Sequence, residues 1–307
     1  MRDRGRLWFM ADLALAVDVG GTKLAAGLVG LDGTLVERAS MPTRNDGAVP
    51  GADEVLWSDL AGLVSGVVAR AGPGDRLVVC GAGCGGPMRA GGEEVSPLNI
   101  EAWRGFPLRA RLAEATGLAT FVDNDAKALA LGEGWVGAAA GCADFLAMVV
   151  STGVGGGIVL DGRLLDGRSG NAGHIGHVVV EPSGRACRCG GRGCLEAEAS
   201  GTAIATVTGR PPREAGAEVV ARVGTLVGRA IASVVNLLDL PLAVVSGSVA
   251  LGYGPPFFAA AQAEMDLRCR LDFARGARVV PGGLGHAGPL VGAARVGLER
   301  MGMEMAG

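Results

Sequence analysis

The chain has 307 residues, of which 49% are hydrophobic, and this is enough for two domains that each bury a core. The 28 Lys and Arg residues against 31 Asp and Glu residues give a net charge of −3, so a basic surface for a nucleic-acid backbone is not expected. No apolar run reaches the length that a membrane span needs, so the pattern also speaks against a membrane protein.

The first part of the chain predicts a meander of strands, a helix and a further strand. Apolar runs separated by Gly-Gly and Asp-Gly pairs are typical of hairpins, and the longer apolar periodicity that follows is typical of a helix. The predicted elements are a disordered leader at 1–13, three strands over 13–41 that turn at Gly20-Gly21 and Asp32-Gly33, a helix at 52–71, a strand at 76–81 and a loop at 83–87.

The rest of the chain alternates helices and strands. Asn124 is a good helix cap, and glycine turns and an Asp-Gly pair bound the apolar runs that follow it. The predicted elements are a helix at 104–117, a strand at 119–122, a helix from Asn124, a strand at 145–150, a glycine turn at 153–157, a strand at 158–160 with a hairpin turn at 161–162, a helix at 213–238, a strand at 242–246 and a helix at 287–301.

The order strand, glycine turn, strand, Asp-Gly turn occurs twice, at 15–33 and at 145–162. This repetition predicts a duplicated α/β architecture in which each half holds one phosphate-binding turn at the edge of a cleft. We expect an N-terminal domain over 14–122, completed by the C-terminal helix at 288–303, and a C-terminal domain over 123–287.

Four residues between 177 and 194 have the chemistry of metal ligands: His177, Cys187, Cys189 and Cys194. One imidazole and three thiolates fill the four tetrahedral positions of Zn²⁺ and leave none for water, so the predicted zinc is structural. The alternative is a disulfide or a set of packing cysteines, but a Cys-x-Cys pair is poorly spaced for a bridge. Thiolate ligands favour a reducing, cytoplasmic compartment.

Two glycine turns carry the pattern of an anion-binding loop. In the segment 18–23, Asp-Val-Gly-Gly-Thr-Lys, glycines without Cβ let backbone N–H groups approach phosphate oxygens, and Asp18 offers a carboxylate for Mg²⁺, usually through water. The turn from Thr152 to Gly157 repeats this chemistry without the Gly-Lys-Ser/Thr of a Walker A loop. A hairpin explains either turn alone, whereas two in corresponding positions favour phosphate binding.

Three further polar groups are candidates for substrate contact. Asp125, in the run Asp-Asn-Asp at 123–125, can accept a proton from a hydroxyl, but an N-cap cluster explains this run equally well. His174 precedes the metal-ligand residues and can contact substrate or orient a ligand. Glu196 follows the last of those cysteines by two residues, so a metal would hold it rigidly; the alternative is a solvated acid at a helix start.

Taken together, these segments resemble the ROK family of sugar kinases and sugar-responsive repressors over residues 14–300. The resemblance rests on Asp18-Val19-Gly20-Gly21-Thr22, the loop 83–87, Asn124-Asp125, the turn 152–157, Gly176-His177, the three cysteines with Glu196, and the segment 245–248. It implies a two-domain actin-like, hexokinase-type ATPase fold, built from duplicated ribonuclease H-like domains with an interdomain cleft.

The resemblance also implies which residues act. Asp125 would be the general base that takes the proton from a sugar hydroxyl, with ATP and Mg²⁺ across the cleft. Substrate contacts are implied at Gly86, Pro87, Asn99, Asn124, Asp125, His174, His177 and Glu196. Nucleotide contacts are implied at Asp18, Gly20, Gly21, Thr22, Lys23, Thr152, Gly153, Gly155, Gly156 and, in an adenosine-side turn, Gly247.

The position of His174 is usually a glutamate in this family, and a histidine there resembles bacterial N-acetylmannosamine kinases. A neutral imidazole cannot replace both acceptor oxygens of a carboxylate, so the choice between glucose, the favoured substrate, and an N-acetylhexosamine stays open. ATP is the expected donor, with polyphosphate as the alternative, and a homodimer is implied by the resemblance alone. Seventeen residues precede Asp18, fewer than the winged helix-turn-helix of family repressors needs, so DNA binding is not expected and a regulator is the least favoured function.

Overall fold

The computed structural model describes residues 11–45, 47 and 49–306. Most of the predicted leader, 1–13, lies outside the described residues, and the first strand begins at Asp12. The described strands are β1 (Asp12–Val19), β2 (Lys23–Gly30), β3 (Leu35–Pro42), β4 (Arg76–Cys84), β5 (Thr120–Asn124), β6 (Phe145–Val150), β7 (Val154–Leu160), β8 (Arg163–Leu164), β9 (Leu242–Ser246) and β10 (Arg278–Pro281). The described α-helices are α1 (Ala52–Val68), α2 (Leu108–Thr116), α3 (Asp125–Val136), α4 (Leu195–Ala199), α5 (Gly201–Thr208), α6 (Ala217–Leu238), α7 (Ser248–Tyr253), α8 (Pro255–Arg268) and α9 (Gly288–Ala306).

The first sheet has the strand order β3-β2-β1-β4-β5. β1, β2 and β3 form an antiparallel meander, whereas β4 and β5 continue the sheet parallel to β1. β1 is an almost continuous apolar run that is buried along most of its length, as expected for a central strand with both faces covered. The edge strand β3 instead alternates between half-buried and exposed residues.

The second sheet repeats the first strand for strand. Its order is β10-β9-β6-β7-β8, in which β6, β7 and β8 form an antiparallel meander and β9 and β10 continue parallel to β6. When β6 is matched to β1, β9 matches β4 and β10 matches β5. The duplicated α/β architecture predicted from the repeated glycine-turn pattern is therefore confirmed.

The chain divides into two compact units, each with one sheet and its own apolar core. The first unit contains the chain up to Ala128, the short segment Ser169–Asn171 and the C-terminal stretch from His286. The second unit contains Leu129–Arg168 and Ala172–Gly285. Because α3 runs from Asp125 to Val136, its first turn belongs to the first unit and its remaining turns to the second.

The C-terminal helix α9 packs on β1 and β4 of the first unit. A Cβ on Gly81 would collide with the carbonyl oxygen of Ala293, and a Cβ on Gly297 would lie 3.1 Å from the Cα of Gly81. Glycine at both positions therefore lets the helix backbone approach the strand directly. Among the described residues, no helix combines the length and the apolar character that crossing a bilayer requires.

Several elements differ from the sequence-based prediction. The helix predicted from 213 begins at Ala217, because Pro212–Glu214 forms a separate 3-10 turn. The glycine turn predicted at 153–157 is shorter, since β7 starts at Val154 and its glycines pair with β6.

The sequence pattern predicts no element between 246 and 287, where the structure has α7, α8 and β10. α8 buries Phe257, Ala261 and Met265, a single line of residues spaced by four. Such a narrow apolar line gives only a weak periodic signal in the sequence.

Candidate active site

Two carboxylates of the first unit lie at one edge of its sheet. Asp18 is the last residue but one of β1, and Asp125 is the first residue of α3, directly after β5. β4 runs parallel between these strands and pairs Gly83 with Asp18. A Cβ on Gly83 would lie 3.4 Å from the Cα of Asp125, so the start of α3 packs closely on β4. The predicted magnesium ligand and the predicted general base thus meet at the carboxyl ends of parallel strands, where ligands bind in open α/β sheets.

The surroundings of both carboxylates disfavour the ionised form. Burial, helped by the negative charge of Asp125 and opposed by the ammonium group of Lys23, raises the pKa of Asp18 from 3.8 to about 7. Burial also raises the pKa of Asp125, while the N–H of Ala126, which donates to its Oδ1 at 2.8 Å, lowers it. Such a pair suits a divalent cation at one carboxylate and proton transfer at the other.

The first glycine turn joins β1 to β2. The N–H of Gly20 donates to the carbonyl oxygen of Lys23 at 3.0 Å and closes the turn. A Cβ on Gly21 would lie 2.8 Å from the Cγ of Asn99, so any larger residue would displace that side chain. The remaining members of the predicted turn, Thr22 and Lys23, are exposed.

Asn99 reaches the first glycine turn because the loop after β4 folds back on its own start. The N–H of Leu98 donates to the carbonyl oxygen of Gly86 at 3.1 Å, and the N–H of Ser96 donates to that of Pro87 at 2.9 Å. Three residues predicted to contact substrate, Gly86, Pro87 and Asn99, are therefore brought together in one loop of the first unit.

The start of α3 is fixed by polar side chains. The Oδ1 atom of Asn124 accepts a hydrogen bond from the N–H of Ala126 at 3.1 Å, so Asn124 acts as the cap that the sequence predicts. The buried ammonium group of Lys127 pairs with Asp123 at 2.9 Å and donates to the carbonyl oxygen of Gly170 at 3.0 Å. Because removing either partner of a buried ion pair is costly, this pair holds the first turn of the helix in place.

The second glycine turn, 151–153, joins β6 to β7 in the second unit. The Oε2 atom of Glu196 accepts a hydrogen bond from the N–H of Val154 at 3.0 Å. The hydroxyl group of Thr202 donates to the carbonyl oxygen of Thr152 at 3.0 Å. Glu196, which the resemblance places at the sugar, therefore also lies directly against the second glycine turn.

The loop that carries His174 crosses over the glycines of β7. Gly155 and Gly156 lie in this strand and not in the turn, which corrects the sequence-based placement. A Cβ on Gly156 would lie 2.9 Å from the Cγ2 of Ile175, and a Cβ on Gly176 would collide with the backbone of β7. These glycines are therefore required for close packing of the loop on the strand.

The four predicted metal ligands come together in the second unit, with their ligand atoms within 4.8 Å of one another. The Sγ of Cys187 lies 3.8 Å from the Nδ1 of His177, and the Sγ atoms of Cys189 and Cys194 lie 3.8 Å apart. Tetrahedral zinc with bonds of about 2.0–2.3 Å separates its ligand atoms by about 3.6–3.8 Å, so this group fits the ion. The exposed ring of His174 has its centroid 6.1 Å from that of His177.

A third turn follows β9, beside the second glycine turn. Gly247 has a φ of 100°, and a Cβ there would collide with the carbonyl oxygen of Val150, so both conformation and space require glycine. The hydroxyl oxygens of Ser151 and Ser248 lie 2.9 Å apart. The predicted adenosine-side turn and the second glycine turn are thus neighbours at the carboxyl ends of β9 and β6.

Three buried charged residues of the site region, Lys127, Glu133 and Glu198, were not predicted from the sequence. Lys127 and Glu133 are 1% and 0% exposed, and Glu198 accepts hydrogen bonds from Arg185 and Arg222 at 2.9 Å each. For Lys127 and Glu133 of α3, the sequence does contain a signal: each is a charged residue within an otherwise apolar helical run. Such a residue indicates a buried group that has a partner.

The comparisons with known proteins agree with this arrangement. A family model described as the ROK family matches residues 14–299. The chain is 39% identical over 191 residues to a glucokinase of Thermotoga maritima, a match that covers 62% of this chain and 58% of that enzyme, less than two thirds of its length. It is 37% identical over 257 residues to an N-acetylmannosamine kinase of Escherichia fergusonii, covering 78% and 84% of the two chains. A ROK family glucokinase from Streptomyces griseus, crystallised with glucose and AMPPNP, matches with a TM-score of 0.80 and 28% identity over 94% of this chain and 99% of that one.

Two mixed sheets of equal topology, each with a glycine turn after its first strand, define a two-domain α/β protein of the actin-like, hexokinase-type ATPase fold. This fold class, predicted from the resemblance, is confirmed. The chain belongs to the ROK family.

Proposed function

We propose that this chain is an ATP-dependent sugar kinase that transfers the γ-phosphoryl group of ATP to the 6-hydroxyl group of a hexose, with glucose as the acceptor. The observation that carries the proposal is the placement of Asp125 and Asp18 beside the first glycine turn, with a raised pKa for both carboxylates. The similarity to relatives named glucokinase and N-acetylmannosamine kinase supports the same class of reaction.

In this proposal Asp125 accepts the proton of the sugar hydroxyl while that oxygen bonds to the γ-phosphorus. The bond from the γ-phosphorus to the bridging oxygen breaks, and ADP leaves with the electron pair. A base with a raised pKa accepts the proton more readily near neutral pH than an ordinary aspartate does. Asp18 would hold Mg²⁺ through water, and the ion would neutralise phosphate charge.

We also propose that His177, Cys187, Cys189 and Cys194 bind a structural Zn²⁺. The support is the donor set and the two 3.8 Å separations, which match a closed tetrahedral site. Cys194 directly precedes α4, so the ion would fix the start of the helix that carries Glu196. The homodimer, which the resemblance implies, and the cytoplasmic location, which the thiolate ligands favour, stay predictions.

A second candidate acceptor is N-acetylmannosamine. The exposed ring of His174 lies in the loop over β7, where the resemblance places a sugar contact and where most family members have a glutamate. The match to an N-acetylmannosamine kinase also covers 84% of that enzyme, compared with 58% of the glucokinase. Both acceptors therefore enter the test.

The test is an ADP-release assay with Mg-ATP on glucose, mannose, N-acetylglucosamine and N-acetylmannosamine. We expect turnover on glucose that falls about 10²- to 10⁴-fold in Asp125→Asn, the usual loss when a general base is removed. Asp272→Asn is the matched control, because this carboxylate has a 94% exposed side chain and should leave turnover unchanged.

Turnover only on N-acetylmannosamine would select the second candidate. No turnover on any of these sugars by folded, zinc-loaded protein would contradict the kinase proposal and favour a sugar-binding protein without catalysis. Full activity of Asp125→Asn would remove this residue from the reaction.

A further inference from the structure

Glu133, in α3, is a completely buried carboxylate that gathers hydrogen bonds from three separate segments. Its Oε2 accepts from the N–H groups of Ala138 at 2.8 Å and Gly283 at 3.0 Å. Its Oε1 accepts from the N–H of Leu284 and from the hydroxyl group of Ser246, both at 3.4 Å. Both carboxylate oxygens are therefore used, and each binds two donors.

Three of the four donors come from the edge of the second sheet where the resemblance places the adenosine side of the nucleotide. Ser246 is the last residue of β9 and precedes Gly247, whereas Gly283 and Leu284 follow β10, the parallel neighbour of β9. A contact between the hydroxyl groups of Ser248 and Ser151 also joins the turn after β9 to the second glycine turn. Glu133 thus connects two loops at the carboxyl ends of adjacent strands.

The backbone is packed tightly around this carboxylate. A Cβ on Gly282 would collide with the hydroxyl oxygen of Ser246 and would lie 2.7 Å from the Oε1 of Glu133. A Cβ on Gly137 would collide with the Oε2 of Glu133. Glycine at both positions leaves room for the carboxylate to reach main-chain N–H groups. The surrounding backbone is therefore shaped to accept the Glu133 side chain and to satisfy its hydrogen bonds.

We propose that Glu133 is a positioning residue for the nucleotide: it fixes the loop 282–284 and the turn Ser246–Gly247, which together hold the adenosine side of ATP. This inference rests on the proposed kinase function. A buried carboxylate suits the role because four donors converge on its two acceptor oxygens, and a group with fewer acceptors would leave donors unsatisfied.

Glu133→Gln tests this proposal most directly. The amide keeps the shape of the side chain but turns an NH₂ group toward one pair of donors, so two hydrogen bonds are replaced by donor–donor repulsion. We expect the Kd for ATP, measured by calorimetry, to rise roughly tenfold, and the KM for sugar to stay within about twofold. Hydrogen exchange at the amides of Gly283 and Leu284 should become faster.

Glu264→Gln is the matched control in the same unit. Its carboxylate, on α8, accepts from Arg229 of α6 at 3.0 Å and from Arg268 of α8 at 2.6 Å, so its partners lie on helices. This variant should lose stability without changing the Kd for ATP. If Glu133→Gln fails to fold, Ser246→Ala, which removes one donor, should still raise that Kd by about two- to fivefold.

The outcomes separate this inference from the proposed function. Wild-type protein that binds and turns over ATP, with an unchanged Kd in Glu133→Gln or, where that variant does not fold, in Ser246→Ala, would overturn the inference alone. An equal rise in the Kd for ATP and in the KM for sugar would also overturn it, because a general loss of structure would produce both. Wild-type protein that neither binds ATP nor phosphorylates sugar would overturn the kinase proposal and the inference with it.

Discussion

The carboxylate of Glu196 accepts a hydrogen bond from the backbone N–H of Val154 at 3.0 Å, and this bond joins the metal-ligand segment to the second glycine turn. Glu196 lies in the first turn of α4, directly after the predicted zinc ligand Cys194 and Leu195. The second glycine turn has a further hydrogen bond at Ser151, whose carbonyl oxygen accepts from the N–H of Gly201 at 2.7 Å. In the second unit, the four predicted metal ligands and the second glycine turn are thus parts of one hydrogen-bonded structure.

Loss of the metal should therefore affect nucleotide and sugar together. In Cys194→Ser we expect lower zinc content, a lower Tm and a rise in the KM values for both ATP and sugar, because α4 no longer holds Glu196 against the turn. Zinc is measured by mass spectrometry and the KM values by ADP release. Cys142→Ser, outside the metal group, is the control. Zinc-free protein with an unchanged KM for ATP would contradict this coupling.

Two substitutions at Glu196 should separate its contact to the turn from its charge. Glu196→Gln keeps an oxygen that can accept from the N–H of Val154, so we expect the KM for ATP to change less than about threefold. Glu196→Ala removes the acceptor and leaves that N–H unsatisfied, so the KM for ATP should rise about tenfold. Steady-state kinetics with ATP as the varied substrate provides the measurement. Equal effects of the two variants would show that the hydrogen bond does not matter.

The sequence predicts much of this fold because its strongest signals are local. β6 and β9 have the predicted bounds, since their apolar runs end at glycine turns or polar residues. The clustering of the four predicted metal ligands is confirmed, and it was predictable because one histidine and three cysteines within 177–194 form a donor set typical of structural zinc. The duplicated topology followed from the repeated order of strands and glycine turns.

The contacts that hold the turns could not be predicted in the same way. Glu133 bonds to Gly283 across 150 positions of the chain, and its partners are mostly backbone N–H groups, which every residue but proline offers. The contact of Glu196 with Val154 likewise depends on how α4 packs beside β7. A pattern of residue types carries no signal for such partners, so they emerge only from the tertiary structure.

The raised pKa of Asp18 predicts a pH-dependent stability. Between pH 4 and 7 the folded protein holds a proton on Asp18 that the unfolded chain releases, because the pKa is about 7 in the fold and 3.8 outside it. Stability should therefore fall as the pH rises through this range, by at most about 4 kcal/mol from this group. Burial raises the pKa of Asp125 as well, which acts in the same direction.

Asp18→Asn isolates this effect. Without nucleotide or Mg²⁺, the variant should gain Tm over the wild type as the pH rises from 5 to 8, because an amide has no charge to bury. Thermal unfolding at several pH values is the measurement. Mg²⁺ should reduce the difference in Tm between the variant and the wild type, because it stabilises the ionised carboxylate. A difference in Tm that does not change with pH would show that Asp18 titrates normally.

The buried pair of Lys127 and Asp123 should be essential for the stability of the first unit. Lys127 is 1% exposed and its Nζ lies 2.9 Å from a carboxylate oxygen of Asp123. Lys127→Met therefore removes the buried cation and leaves Asp123 with the partly exposed Arg300, 3.4 Å away, as its ionic partner. We expect a loss of about 3–5 kcal/mol in the free energy of unfolding, measured by urea denaturation. The double variant Lys127→Met/Asp123→Asn should recover part of this loss, because it also removes the negative charge of Asp123. Arg213→Met, whose partner contact is exposed, should change stability by less than about 1 kcal/mol. A Lys127→Met variant as stable as this control would show that the pair contributes nothing to holding the start of α3.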